Sequence, residues 1–141
     1  MFLIFDKSKL FFTQTTFFKQ DKHLKNRRIT ESTGFGEAQI AAEMLACGNE
    51  NIREIYLGKY AVQEMFAVRV ISTYVTFYRT VISTSYWKEL GEDLPQKQSV
   101  VIERWPRENG IKTGLNLVEP KERKDVITAF IKIRQYILHQ N

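Results

Sequence analysis

At 141 residues and 16.6 kDa the chain is long enough to bury a core without covalent staples, and its single cysteine has no partner for an intrachain disulfide. Twenty-one basic against 16 acidic side chains give a net charge of +5 and a pI near 9.4, which favours nucleic acid, acidic proteins or anionic surfaces as partners. No run approaches the ~18 consecutive apolar residues of a membrane-spanning helix, and the apolar start Met1–Asp6 lacks the basic leader and cleavage site of a secretory signal.

The charge is unevenly spread. Residues 1–30 carry a net +5, residues 31–65 a net −4, residues 66–120 a net +1 and residues 121–141 a net +3, so the positive charge lies at the two ends of the chain. Cys47 reads as a small apolar residue near a helix end, and a lone cysteine favours a cytoplasmic or other reducing intracellular compartment.

Residues 2–18 hold six of the ten phenylalanines and read as two strands, Met1–Phe5 and Leu10–Phe18, joined by a polar turn at Asp6–Lys9. So much aromatic surface belongs in a core, or else at an edge that meets a partner or a second copy. Lys19–Arg28 follows, with five basic residues and one acidic, and Ile29–Gly36 continues it as a loop. Such a charge run is a solvated segment or a contact for phosphate or an acidic partner.

Glu37–Cys47 is built of strong helix formers, with Glu37 in the favourable first turn and Gly48 placed to end it. Ile40, Met44 and Cys47, beside Ala41 and Leu45, form its core stripe. Asn49–Asn51 then reads as a turn, and Ile52–Leu57 as either a short strand or a helix extension.

Phe66–Ile82 is the richest stretch in β-branched and aromatic residues and contains neither Gly nor Pro, so it reads as strand. Its apolar alternation changes phase near Ser72–Thr73. A bulge in one long strand explains this, and a two-strand hairpin is the alternative. Thr84–Leu90 reads as a short helix with a hydroxyl cap before it and Gly91 closing it; Trp87 and Leu90 would pack on the sheet.

Ser99–Trp105 and Ile111–Val118 flank Pro106–Gly110, where Asn109-Gly110 signals a tight reversal, and should pair antiparallel as a hairpin with one wet face. Pro120 suits a first helical position, and the helix it opens runs to Leu138, burying Ile127, Phe130, Ile131 and Ile137. The expected architecture is one α+β domain over residues 1–141. Its mainly antiparallel, curved sheet would have about five or six strands, packed by helices 37–47 and 120–138 and a short helix 84–90.

Catalytic patterns are sparse. His23 and His139 lie far from each other and from Cys47 in sequence, at no metal-ligand spacing. Glu103-Arg-Trp105 lacks the lysine of a carboxylate–lysine nuclease pattern, and no serine sits in a Gly-x-Ser-x-Gly turn. A non-catalytic protein with no cofactor or metal is therefore expected.

Sheets that track single-stranded DNA or RNA pair aromatic faces with cations. Here Tyr74, Tyr78 and Trp105 would stack on bases, while Lys19, Lys22, Lys25, Arg27, Arg28, Arg69 and Arg104 would hold phosphates, within a larger complex. The alternative is a protein-interaction or assembly subunit, or an inhibitor, using the Phe-rich N-terminal edge without nucleic-acid contact. That alternative gives the acidic 31–65 segment a use, which nucleic-acid binding does not.

Overall fold

The structure, a computed structural model, describes residues 2–6, 9–13, 34–107 and 114–139, with side chains from Glu37 onward. Its elements in chain order are β1 (Phe2–Asp6), β2 (Lys9–Thr13), α1 (Gly34–Glu54), β3 (Gln63–Ile71), β4 (Tyr74–Ile82), α2 (Thr84–Glu92), β5 (Ile102–Trp105), β6 (Leu115–Asn116) and α3 (Pro120–His139). The fold is α+β with an antiparallel open sheet. Its strands lie in the order β2-β1-β3-β4-β5, with β6 also paired to β4.

The centre of the sheet corrects the long-strand expectation. β3 and β4 form a hairpin in which Ile71 faces Tyr74 across Ser72–Thr73, so the phase change is a reversal and not a bulge. Ser72 takes φ +55, a left-handed conformation that turns usually assign to Gly, Asn or Asp. With a serine there, no residue type marked the turn.

Strand alternation divides the hairpin into two faces. Met65, Ala67, Tyr78 and Ile82 pack with Ile40, Met44, Ile52 and Trp87 of α1 and α2. On the other face Val68, Val75, Phe77 and Leu115 pack with Val126 of α3. Helices thus cover both faces, which is why Gln63–Val68 are buried without a break.

Of the two glycines expected to stop helices, Gly48 lies well inside α1 and Gly91 lies in the last turn of α2. α1 continues through Gly48 to Glu54, and Ile40, Met44, Gly48 and Ile52, four apart, form its buried stripe. A Cβ on Gly48 would sit 2.5 Å from Cζ2 of Trp87, so glycine is there to let the indole lie on the helix. The Gly48 carbonyl also accepts from Nε2 of buried Gln63 at 2.9 Å, and Asn51 Nδ2 donates to the Gln63 Oε1 at 3.2 Å. Gly91 stands one residue before the end of α2, as expected of a closing glycine, and the Tyr60 hydroxyl occupies the place of its missing Cβ. Ile52–Leu57 is therefore helix end and turn. It closes with Leu57 at φ +49 and Gly58 at φ +80, where the Gly58 N–H donates to the Ile52 carbonyl at 2.8 Å.

α2 starts as expected, with the Ser83 Oγ accepting the Tyr86 N–H at 3.2 Å. Its Glu89 carboxylate accepts the backbone N–H groups of Gln96, Lys97 and Gln98 at 2.7, 2.8 and 3.0 Å, clamping the following segment to the helix. These bonds, Lys97's first, hold the Glu89 carboxyl below its ordinary pKa of 4.5.

The expected hairpin around Asn109-Gly110 is also corrected. β5 and β6 do not pair with each other; both pair antiparallel with β4, Trp105 opposite Phe77 and Leu115 opposite Val75, so they run the same way along one edge. Asn109, Gly110 and Ile111–Thr113 lie outside the described residues. Gly114, at φ +135, brings the chain back to β4 so closely that a Cβ would lie 2.7 Å from the Val75 carbonyl oxygen. Leu115 and Leu117, two apart in sequence, both join the α3-side core.

Among the described residues no helix is long and apolar enough to cross a membrane, and no three His, Cys, Asp or Glu side chains gather in a metal-sized group.

Candidate interaction surface

The sheet separates the side chains expected to act together. Lys19, Lys22, Lys25, Arg27 and Arg28 lie outside the described residues, as do Phe17 and Phe18. By register, Arg69, Tyr74, Tyr78 and Arg104 project toward the α1 face, since Arg69 faces Thr76, Ala67 faces Tyr78, and Tyr78 faces Arg104. Trp105, the next residue after Arg104, projects to the α3 face.

On the α1 face only Tyr78 is built into the core, and Arg69, Tyr74 and Arg104 are half-buried. Tyr78 is 2% exposed, packed in the α1 and α2 core, and its hydroxyl donates to Glu37 Oε1 at 3.1 Å. The same carboxylate oxygen lies 3.7 Å from Arg104 Nη1. Burial pushes the Tyr78 hydroxyl pKa up, the Glu37 charge pushes it further, and a hydrogen bond from Arg69 opposes both. A ring so enclosed has no face to offer a base, which corrects its expected stacking role. The physical reason is that strand alternation turns Tyr78 toward α1, where Glu37, Ile40 and Met44 lie over it.

The α3 face is open along one side. Phe77 bridges Trp105 and Phe130, with ring centroids 5.5 and 5.3 Å apart, so Trp105 stands next to α3. Trp105 is 45% exposed. α3 is fixed over β3 by Tyr136, whose ring meets Phe66 edge-on at 5.7 Å and whose hydroxyl donates to Glu64 Oε2 at 2.8 Å. The other Glu64 oxygen accepts from Arg79 Nε at 2.8 Å, and Arg79 Nη1 reaches Glu103 at 3.1 Å. The hydrogen bond to Glu64, above all, raises the Arg79 pKa.

With Tyr136 turned toward β3, helical periodicity of about 100° per residue turns Ile127, Ile131 and Leu138 toward the β5 side. Ile127 and Ile131 are 54% and 50% exposed, which corrects their expected burial; Val126, Ile137 and the half-buried Phe130 and Ile133 make the contact instead. The apolar face of α3 is broader than one helix–sheet contact uses. Together with Trp105, exposed Val81 and the Arg79–Glu103 ion pair that lies between them on the same face, it forms a shelf: the sheet is the floor and the flank of α3 is the wall.

Arg123, Lys124 and Arg134 edge this shelf, all exposed. The two acids of α3 are placed elsewhere. Glu122 accepts the Asn116 N–H, and Asp125 lies on the opposite side of the helix. Sequence reasoning missed the shelf, although seven apolar residues on one helix exceed what a sheet contact of ordinary width needs.

The α1 face holds a cavity of about 230 Å³ between α1, β4 and the segment clamped by Glu89, lined mainly by Met44, Leu45, Thr80, Ile82, Tyr86 and Val100. It is below the ~300–1,000 Å³ of ordinary ligand pockets. Comparison of the chain with protein-family models, with curated proteins and with solved structures returned no match.

Proposed function

We propose that this chain is a non-catalytic binding subunit that works within a larger complex and engages a protein partner. The observation that carries the reading is the shelf on the α3 face, where Trp105, Ile127 and Ile131 are each about half exposed and ringed by arginine and lysine. An aromatic and aliphatic centre with an arginine-bearing rim is the composition of protein-binding hot spots. β2, which contains Phe11 and Phe12, pairs only with β1 among the described residues, and this supports the Phe-rich N-terminal edge as a further contact. The same reading takes residues 1–141 as one domain with a curved sheet of five or six strands. Purification of the untagged protein from its own cell tests the proposal: a defined polypeptide retained by the wild type and lost by Ile131→Asp supports it, and nucleic acid retained instead argues against it.

Single-stranded DNA or RNA binding is the second reading, favoured by exposed Trp105 beside the cationic flank of α3 and by the net charge of +5. Trp87 is buried, so the emission of Trp105 should report on an oligonucleotide stacked there. On this reading Trp105→Ala costs ~1–3 kcal/mol of oligonucleotide binding with little change in salt dependence. Replacing Lys25, Arg27 and Arg28 together lowers the salt slope by about 2, at roughly 0.7 per phosphate contact. An absence of binding at low salt removes this reading and leaves the protein partner.

A further inference from the structure

The shelf beside α3 has a floor one strand wide, formed by β5, and a wall as long as several turns of helix. Strands lie about 4.8 Å apart and a helix with its side chains is about 10 Å wide, so one helix covers roughly two strands. α3 covers β3 through Tyr136 and β4 through Phe130, and Trp105 on β5 remains at its side. The wall from Ile127 to Leu138 is about three helical turns long, near 16 Å at 1.5 Å per residue. A rod of the same kind lying alongside α3 matches that length better than a single loop or side chain.

Charge narrows the occupant. Arg123 flanks the apolar stripe on the sheet side and Lys124 on the outer side, Arg134 lies within the stripe between Ile131 and Leu138, and Glu103, a carboxylate on the floor, is tied to Arg79 at 3.1 Å. A second copy presenting this stripe would bring its three cations against the same three. Such like-charge contact disfavours self-association here and favours a partner of opposite charge. We infer that the shelf takes an amphipathic helix from another protein, with one apolar stripe and acidic residues that meet Arg123, Lys124 and Arg134. This inference rests on the protein-binding reading and adds the chemistry of the partner.

The test uses three fluorescein-labelled helical peptides, about 18 residues long to span the wall with a margin. One has a leucine stripe with glutamate flanks, the second the same stripe with lysine flanks, and the third glutamate flanks with serine in place of leucine. Fluorescence anisotropy with the full chain is expected to rank the first at least roughly tenfold above the other two, with affinity falling as salt rises. Ile127→Ser with Ile131→Ser should abolish the preference while thermal unfolding stays near wild type, because both residues are half exposed. Arg123→Glu with Arg134→Glu should invert it toward the lysine-flanked peptide.

Equal binding of the acidic and basic peptides overturns the inferred chemistry and leaves the protein-binding reading standing. Binding of oligo(dT), with quenching of Trp105 and no peptide binding, overturns both. Failure of every peptide, or a dimer in sedimentation that Ile131→Asp dissociates, overturns the acidic-helix inference.

Discussion

The two faces of the sheet differ in how completely they are covered. On one, α1 and α2 close over β3 and β4 so tightly that Gly48 is needed for Trp87 to lie on α1, and even Gln63 has its amide bonded on both atoms. On the other, α3 alone is held by Phe130 and by the Tyr136–Glu64–Arg79 chain, while Trp105 and the flank of the helix stay in solvent. Apolar residues spent on a closed face explain stability. Those left on an incompletely covered face call for another explanation, and here they coincide with a cationic rim.

That contrast is best broken at its closed side. Trp87→Ala should cost ~3–5 kcal/mol in chemical denaturation, since the ring is 1% exposed and its loss leaves a cavity against Gly48 and Met65. A cost below about 1 kcal/mol would mean that the α1 and α2 layer is not packed as described.

The α3 side should respond less, and unequally along one helix. Phe130→Ala is expected to cost roughly 2–3 kcal/mol, less than a fully buried ring because Phe130 is only half buried. Ile131→Ala, one residue on, should stay within ~0.5 kcal/mol. Comparable losses at the two positions would place Ile131 in the core and remove the shelf.

Gly48→Ala separates a packing glycine from a helix-ending one. An alanine inside a helix gains up to about 1 kcal/mol from propensity, but its Cβ would meet Trp87 at 2.5 Å, and overpacking costs ~1–3 kcal/mol. Net destabilisation is expected, by about 1 kcal/mol. In a double variant with Trp87→Ala that penalty should vanish and alanine should become favourable.

The smallest effect concerns the Glu89 clamp. The folded pKa is depressed, so the contribution of the clamp is full above the ordinary value of 4.5 and disappears as pH falls through the lower folded value. Glu89→Ala should therefore speed amide exchange at Gln96, Lys97 and Gln98 at neutral pH. Wild type and variant should converge in strongly acidic solution. A difference between wild type and variant that persists undiminished in strongly acidic solution would contradict the loss of the clamp on protonation.

Element types were largely legible because each rests on neighbours in sequence. The helix formers of Glu37–Cys47, the Ser83 cap, Pro120 and the β-branched run after Phe66 act locally and mark α1, α2, α3 and the central strands. Trp105 and Arg104 do not form the one surface expected of them, since adjacent strand residues must face opposite ways. Tertiary contacts decided the rest. Gly48 looked like a helix end because the Trp87 ring that requires it is distant in sequence. The Ser72 turn was set by pairing of β3 with β4, not by its own residue type, and β5 and β6 each pair with β4 and not with each other. Periodicity gave α3 an apolar face but not its rotation; the Tyr136–Glu64 bond and the Phe130–Phe77 contact turned Ile127 and Ile131 out of the core. A helix's own sequence states how much apolar surface it carries, and only the element beneath it determines how much of that surface is covered.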